Sequence, residues 1–419
     1  MISVDQFTID AEAWLRANAD PRPPARELVW GEGSDDVSLF HDLSFEEERA
    51  YIDAHRDWQR AKSDAGYGSI DWPVEHGGAG LGRAHATAFR RLEAGFQTPP
   101  SHEAIGITMN LIAPTILTVG TEEQRQRYLR PMRRLDEMWC QLFSEPGAGS
   151  DLAGLSTRAE RDGDEWVLDG QKVWTSGAQY ADHGYCLART DPTAPKHKGL
   201  TAFLFPMDTP GVDVRPLRQM TGGSSFNEVF LTGVRVPDNQ RLGDVGAGWS
   251  VAITTLGFER AASSGGGGGG PSMSDRLALL ARHLGVDHDP RIRQRVVDVH
   301  ARERMLSWTN RRSAATAKAN GGVPGPEGSL GKLLWTESLR AASNTATAIL
   351  GPRLIADTGE WGTFAFSSFV TGAPGYRIAG GSDEIQRNII SERVLGLPKE
   401  PSQHRPSPNH HERSTHDGS

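Results

Sequence analysis

The feature that most constrains the fold is a change of hydrophobic period along the chain, from helical spacing to alternation and back. Residues 1–137 carry helical spacing, as in FEEERAYIDAHRDWQRAKSDAG, which ends at a glycine as helices often do. Residues 138–243 carry runs that are typical of strands, such as LTAFLFPMD, VDVRPL and NEVFLTGVRVP. Helical spacing returns over residues 244–398, and the polar, proline-rich residues 399–419 are predicted to form a disordered tail.

This order predicts an α+β protein with an N-terminal helical domain, a middle β-barrel or β-sandwich domain and a C-terminal helical domain. Within the middle domain, DEWVLDGQKVWTS contains two alternating runs around Asp169–Gly170, which predicts a hairpin turn at that dipeptide. A β domain between two helical domains offers a cleft at their junction, where cofactor sites tend to lie. We therefore expect the functional site at this junction.

Composition and charge narrow the class of protein. The 419-residue chain has a net charge of −8, which disfavours nucleic acid as a partner because phosphate binding needs a basic surface. Its two cysteines, Cys140 and Cys186, give neither a disulfide framework nor a zinc-binding spacing, so we expect a cytoplasmic protein without a metal. The N-terminus lacks the apolar run of a signal peptide, and no stretch is apolar enough to predict a membrane span.

Two stretches in the middle zone could hold a flat ligand. Residues 141–154, QLFSEPGAGSDLAG, form a loop of small residues that exposes backbone N–H groups and permits close approach. In residues 170–182, GQKVWTSGAQYAD, Trp174 stands beside the hydroxyls of Thr175 and Ser176, which suits a stacked ring with polar edges. An ordinary turn and a core tryptophan with strand hydroxyls are the alternatives.

Three motifs in a fixed order resemble those of the acyl-CoA dehydrogenase family. They are SEPGAGSD, then KVWTS about twenty positions later, then GGSDEIQRNIISERVLG at residues 380–396, and the resemblance extends over about residues 40–398. It implies a C-terminal four-helix bundle and an FAD-dependent oxidoreductase of lipid metabolism. The implied reaction is α,β-dehydrogenation of an acyl-CoA to the trans-2-enoyl-CoA, in which a carboxylate removes the α-proton and flavin N5 takes the β-hydride.

The resemblance also implies which residues meet the ligands. FAD would lie between the middle domain and the C-terminal helices, with Ser176 near its N5 atom and Asp383 in the segment near its adenosine. The implied cofactor-binding residues are Gln141, Phe143, Ser144, Gly149, Ser150, Trp174, Thr175, Ser176, Ser382 and Glu384. The implied substrate-binding residues are Ser150, Phe258, Arg260 and Gly381.

The position of the catalytic base departs from the commonest family pattern. Many members place a glutamate directly before the glycine of the C-terminal motif, and that position here is Gly380. A minority place a glutamate before an arginine on the helix that follows the β domain, and Glu259–Arg260 match that description. The resemblance therefore implies Glu259 as the base, with Asp383 and Glu384 ranked below it.

Helix geometry is compatible with this role. At about 100° per residue, one face of the helix is shared by Trp249, Ile253, Leu256 and Arg260. Glu259 falls beside this face, on the side of Ala252 and Leu256. A carboxylate half-buried against apolar groups should have a raised pKa, which suits a general base near neutral pH. A solvated glutamate–arginine pair at a helix end is the alternative interpretation.

Other departures concern the segments around the site. The six glycines at residues 265–270 predict a broken helix, which could widen the acyl pocket or form a surface loop. The family's Arg-x-x-Phe-Gly block, which meets FAD across subunits, is absent from DPRIRQRVVDV, where Arg291, Arg293 or Arg295 could substitute. In the Gln-x-x-Gly-Gly block the glutamine is replaced by Ala348.

Three hypotheses follow. The leading one is a homodimeric or homotetrameric acyl-CoA dehydrogenase that passes electrons to an electron-transfer flavoprotein or similar acceptor. The second is a non-catalytic or FAD-sharing subunit that forms a heteromer with a paralogue. The third is an oxidase or tailoring flavoenzyme on the same fold. None of the motifs predicts the length or identity of the acyl chain.

Overall fold

The computed structural model of the protein describes six stretches of the chain, which are residues 2–24, 28–40, 43–99, 102–263, 271–319 and 325–399. For residues 260–263 it describes the backbone only. The glycine run at 265–270 and residues 400–419 of the predicted tail lie outside the described residues.

The first part of the chain is helical. Its elements are α1 (Val4–Asn18), α2 (Phe45–Asp64), α3 (Arg83–Glu93), α4 (Glu103–Gly106), a π-helical turn (Ile107–Ile112), α5 (Ala113–Val119) and α6 (Glu122–Arg134). Helices α2 and α6 each begin with a capping box, formed by Ser44 with Glu47 and by Thr121 with Gln124. These reciprocal bonds satisfy N–H groups that a helix start otherwise leaves without partners.

The middle of the chain forms one eight-stranded sheet within the described residues. Its strands are β1 (Trp139–Leu142), β2 (Arg158–Asp162), β3 (Glu165–Ser176), β4 (His183–Arg189), β5 (Leu200–Pro206), β6 (Val212–Leu217), β7 (Phe226–Pro237) and β8 (Arg241–Leu242). They pair in the order β6-β7-β3-β2-β4-β5-β8, and β1 adds to β4 in parallel. This pairing brings β1 and the loop after it alongside the end of β3.

The predicted hairpin turn at Asp169–Gly170 is wrong. The turn lies six residues earlier, at Gly163–Asp164, where Asp162 pairs with Glu165 and Gly163 adopts a φ of +63°. Strand β3 runs straight through Asp169–Gly170, where its register with β7 shifts at a bulge. An Asp-Gly pair suits both a tight turn and a bulge, and here β3 must continue because it also pairs with β7.

The last part of the chain is helical again. Its elements are α7 (Gly248–Ser263), α8 (Met273–His283), α9 (Pro290–Ala319), α10 (Gly328–Leu350), α11 (Ala365–Ile378), α12 (Asp383–Ile389) and a π-helical turn (Ile390–Val394). Buried side chains of α8 to α11, among them Leu280, Val299, Ala346 and Phe369, form one core. None of the described helices is both long and apolar enough to cross a lipid bilayer. The sequence of helices, sheet and helices confirms the predicted fold class.

Helix α7 is fixed at the junction of all three parts. Its Thr255 is fully buried and lies within hydrogen-bonding distance of the hydroxyls of Thr115 on α5, at 3.0 Å, and Tyr185 on β4, at 3.2 Å. Val251 and Ala252 pack into the same core as the N-terminal helices and the sheet. The position of α7 is therefore set by both polar and apolar contacts.

Candidate active site

A buried ion pair ties the loop after β1 to strand β3. Lys172 on β3 is fully buried, and its Nζ lies 2.9 Å from Oε1 of Glu145 and donates to the carbonyl of Phe143 at 3.1 Å. Glu145 also accepts hydrogen bonds from the backbone N–H groups of Ser156 and Thr157, at 2.6 and 2.8 Å. The loop is thus held at several points.

The contacts of Glu145 favour its charged form. Burial alone would raise the pKa of Glu145, but the charge of Lys172 and the hydrogen bonds from Thr157 and Ser156 outweigh it and lower the pKa to about 2. The carboxylate is therefore ionised at neutral pH, and its charge is compensated within the protein. Both residues lie inside the quoted motifs, but nothing in the sequence indicated that they pair.

Strand β3 ends in an exposed tryptophan with an unusual backbone. Trp174 has a φ of +61°, which is rare for a bulky residue, and 58% of its surface is exposed. It sits in a bulge between Lys172 and Thr175 where the register with β7 shifts. Oγ1 of Thr175 is buried without a hydrogen-bond partner among the described residues. Residues with a strained, positive-φ backbone are concentrated at functional sites.

The loop opposite Trp174 leaves open space. A Cβ added at Gly147 or Gly149 would meet no atom within 4 Å. Oε1 of Gln141 is buried and has no hydrogen-bond partner among the described residues. The backbone N–H of Val173 donates to the carbonyl of Ser144 at 2.9 Å, which keeps the loop beside the strand. An exposed indole, open backbone and polar groups without partners fit a flat ring with polar edges, such as a flavin.

A series of aromatic contacts connects Trp174 to the C-terminal helices. Its ring meets Phe226 edge-on with centroids 6.0 Å apart, and Phe226 meets Phe40 at 5.6 Å. Phe40 stacks on Tyr376 of α11 with centroids 4.8 Å apart. Because α11 leads to Gly380, these contacts place the end of β3 and the C-terminal motif at one junction.

Glu259 lies next to Gly380. Its Oε1 is 3.3 Å from the point where a Cβ on Gly380 would stand. Ala252, on the side of α7 where the helix geometry puts Glu259, is fully buried, and so is Thr255, whereas Ile253 is 39% exposed. Since Glu259 follows Thr255 by four residues, it lies on this buried side of α7, one turn further along.

The two glycines of the C-terminal motif form a tightly held turn. Gly380 and Gly381 have φ values of +64° and +84°, which only glycine adopts readily. Nε2 of Gln386 donates to both of their carbonyls, at 2.9 and 3.1 Å, and Nζ of Lys332 donates to the Gly381 carbonyl at 2.8 Å. Three hydrogen bonds therefore fix the segment that faces Glu259.

The acids that follow this turn are engaged elsewhere. Asp383 is 1% exposed and accepts hydrogen bonds from Thr336 and Arg377, both at 2.7 Å. Burial alone would raise the pKa of Asp383, but these bonds and the charge of Lys332 outweigh it and leave the pKa below its usual range. A carboxylate with these partners is a poor candidate for a base. Glu384 has a 75% exposed side chain and lies 3.7 Å from Arg387.

The remaining predicted residues occupy varied surroundings. Ser382 caps α12, with its hydroxyl accepting from the N–H of Ile385. The ring of Phe143 is buried in the core, whereas Ser150 is exposed on the loop. Phe258 is half-buried, and the side chain of Arg260 lies outside the described ones. Among the cationic residues suggested as substitutes, Arg291 pairs with Asp289 at 3.0 Å.

Glu103 is an acidic residue at the junction that no sequence motif indicated. Glu103, at the start of α4, accepts a hydrogen bond from Oγ of Ser176 at 3.1 Å between Oγ and Oε1. It comes from the N-terminal helices, whereas Ser176 ends β3, and the two are 73 positions apart. Only the folded arrangement brings them together.

Comparison with known proteins gives the class. Three domain families match consecutive parts of the chain, namely the acyl-CoA dehydrogenase N-terminal, middle and C-terminal domains, over residues 41–136, 140–234 and 246–395. The chain belongs to the acyl-CoA dehydrogenase family, as its motifs predicted. It is therefore a flavin-dependent oxidoreductase that acts on acyl-CoA thioesters.

Several individual proteins resemble the whole chain. The acyl-CoA dehydrogenase IpdE1 of Mycobacterium tuberculosis is 39% identical, and the alignment covers 96% of this chain and 99% of that protein. A solved structure named Tcur3481–Tcur3483 steroid ACAD superposes with a TM-score of 0.71 at 27% identity, covering 95% and 98% of the two chains. The ChsE4–ChsE5 complex of Mycobacterium tuberculosis gives a TM-score of 0.67 at 25% identity, covering 96% and 100%.

Proposed function

We propose that this chain catalyses the FAD-dependent α,β-dehydrogenation of an acyl-CoA thioester to the trans-2-enoyl-CoA, with Glu259 as the base. The observation that carries the proposal is the position of the Glu259 carboxylate, 3.3 Å from the Cβ position of Gly380. Residue 380 is where many members of the family carry their glutamate. The carboxylate of Glu259, on α7, thus lies in the space that a side chain at residue 380 would occupy.

Three regions of this chain would hold FAD. The indole of Trp174 would lie against the flavin ring, with the hydroxyls of Thr175 and Ser176 at its polar edge. The backbone of residues 144–150, in the loop after β1, would also line the flavin ring. Ser382 and Glu384 would lie towards the adenosine of FAD. FAD, when bound, accepts the hydride that leaves the β-carbon. Glu259 takes the α-proton, and the tightly held turn at Gly380–Gly381 fixes the space in front of it.

Anaerobic titration tests the proposed reaction. The purified holoprotein is mixed with acyl-CoAs of different chain lengths while the visible absorbance of the flavin is followed. We expect at least one acyl-CoA to bleach the flavin, because the reaction moves two electrons onto it. A flavin-loaded protein that no acyl-CoA bleaches would contradict the proposal, whereas rapid release of hydrogen peroxide in air would favour an oxidase.

A side chain at residue 380 should impair the base. In Gly380→Ala, the new methyl group would meet the Glu259 carboxylate at 3.3 Å, so the carboxylate must shift. We expect flavin reduction to slow by about tenfold or more, because proton abstraction depends on precise geometry. The matched control is Gly396→Ala, since Gly396 has a similar φ of +68° but no atom within 4 Å of its Cβ position. Equal rates in the two variants would argue against contact between residue 380 and the base.

A second candidate is a subunit that works within a heteromer. The structures named Tcur3481–Tcur3483 and ChsE4–ChsE5 each combine two different chains, and this chain resembles them over nearly its whole length. The family's cross-subunit FAD blocks are also altered here. Expression of the chain alone and together with a neighbouring paralogue distinguishes the cases. Flavin retained only after co-expression would favour the heteromer, and flavin retained by the lone chain would favour the homo-oligomer.

We also propose that the chain has three domains, which are residues 1–137, 138–243 and 244–398. Their limits fall in the connections between α6 and β1 and between β8 and α7. An electron-transfer flavoprotein or similar protein is the proposed electron acceptor.

A further inference from the structure

Glu103 lies at the meeting point of the three parts of the protein. It starts α4, bonds to Ser176 at the end of β3 and interacts electrostatically with Tyr376 on α11. Its side chain is exposed to solvent, yet the surrounding protein raises the pKa of Glu103 through the loss of hydration, with Glu48 adding to the effect. A side chain that is open to solvent and is also surrounded by protein is typical of a residue on the wall of a cleft.

The position of Glu103 is fixed by its neighbours in the chain. A Cβ on Gly177, the residue after Ser176, would lie 2.6 Å from the Cβ of Ala104, so α4 packs directly against the end of β3. His102 bonds to Glu48 at 2.8 Å and accepts from the backbone N–H of Ala104 at 3.2 Å. These contacts hold the carboxylate of Glu103 beside Ser176.

One oxygen of Glu103 remains available to a ligand. Oε1 accepts from Ser176, and Oε2 makes no hydrogen bond to any described group of the protein. Neither Lys nor Arg forms a salt bridge with Glu103 in the described part of the chain. A carboxylate oxygen that is exposed to solvent is hydrated. A ligand that fills the cleft must replace that water with a donor or leave the oxygen without a partner.

We propose that Glu103 is a specificity-determining residue that accepts a hydrogen bond from a hydroxyl group on the acyl chain, so that the substrates are hydroxylated acyl-CoA thioesters. This inference rests on the proposed function, which puts Ser176 next to the flavin atom that faces the β-carbon. Three successive contacts of about 3 Å, from the β-carbon to the flavin atom, from that atom to Ser176 and from Ser176 to Glu103, then put Glu103 within roughly 9 Å of the β-carbon. The hydroxyl group therefore belongs on a carbon shortly beyond it.

The physical basis of the selectivity is desolvation. An unsubstituted acyl chain displaces water from the Glu103 carboxylate and donates no hydrogen bond in its place. A hydroxyl group on a carbon that lies next to Glu103 donates one, and hydrogen bonds to a charged group are among the stronger ones. Sites built to bond a substrate hydroxyl reject the analogue that lacks it, and we expect at least a tenfold preference here.

Binding to a protein that cannot turn over its ligand tests this. The background is the flavin-loaded Glu259→Gln variant, and calorimetry under anaerobic conditions gives Kd for a parent acyl-CoA and for its γ-, δ- and ε-hydroxy derivatives. We expect the best hydroxy derivative to bind at least about tenfold more tightly than the parent. Adding Glu103→Leu should abolish this ratio, mainly by tightening binding of the parent.

Two further variants make the result specific. Glu103→Gln retains a hydrogen-bonding side chain and should keep part of the preference. Glu122→Leu removes an exposed acid from the first turn of α6, away from the cleft, and should keep all of it. A ratio of Kd values does not depend on the fraction of protein that is folded.

The outcomes separate this inference from the proposed reaction. Equal Kd values for the parent and all three hydroxy derivatives would overturn it, even if acyl-CoAs bleach the native flavin. Equal weakening of every ligand by Glu103→Leu would also overturn it, because Glu103 would then act only on Ser176 or on folding. Failure of the bleaching experiment alone would reject the proposed reaction, while the Kd ratios would still decide the role of Glu103.

Discussion

Glu259→Gln is expected to bind FAD and acyl-CoA as the native protein does, but to reduce the flavin about a hundredfold to ten-thousandfold more slowly. A positioned general base typically contributes a rate factor of about this size. The amide keeps the shape and the hydrogen-bonding capacity of the side chain but cannot accept the α-proton. Stopped-flow absorbance under anaerobic conditions measures the rate, and saturation of its dependence on acyl-CoA concentration separates binding from chemistry.

Two further variants test whether this effect belongs to the base. Glu122→Gln removes an exposed carboxylate from the first turn of α6, which has no role in the proposed site, and should leave the rate close to the native value. Glu259→Gly combined with Gly380→Glu moves the carboxylate to the neighbouring segment, and it should recover at least about tenfold over Glu259→Gly alone. If Glu259→Gln reduced the flavin at the native rate, the base would have to lie elsewhere and the proposal would fail.

Much of the fold and part of the site could be predicted because their signals are local. Hydrophobic period separates the helical zones from the sheet without knowledge of any long-range contact. The motifs around Trp174 and Gly380 are short and keep a fixed order. The resemblance also indicated Glu259, because it precedes an arginine on the first helix after the sheet, and its role as the base stays a prediction. Each of these signals lies within a few turns or strands of sequence.

The features that were missed depend on tertiary contacts. Asp162–Gly163 and Asp169–Gly170 are equally good turn signals, and only the pairing of β3 with β7 decides between them. The exposure of Ile253 follows from how α7 packs, which its own period does not reveal. Glu103 has an ordinary sequence context, and its place at the junction depends on a hydrogen bond across 73 positions.

Lys172→Met is expected to lower the free energy of unfolding by about 3–5 kcal/mol, because it leaves the buried charge of Glu145 without its partner. Glu145 has 5% of its surface exposed, so water cannot replace the lost ammonium group. The loop after β1 should loosen as a result, and flavin should dissociate more readily. Thermal unfolding at a fixed scan rate and the ratio of flavin to protein after gel filtration measure the two effects.

The pH dependence gives the same ion pair a second signature. The pKa of Glu145 is about 2 in the folded protein against an ordinary 4.5, so its ionised form is the one that stabilises the fold. This contribution, on the order of 3 kcal/mol, is fully present above pH 4.5 and is lost as the pH falls towards 2.

Lys172→Met combined with Glu145→Gln should unfold at a higher temperature than Lys172→Met, since the amide carries no unpaired charge. Lys196→Met, which removes an exposed partner of Asp151, should cost less than about 1 kcal/mol. Equal losses from Lys172→Met and Lys196→Met would show that burial does not set the strength of the pair.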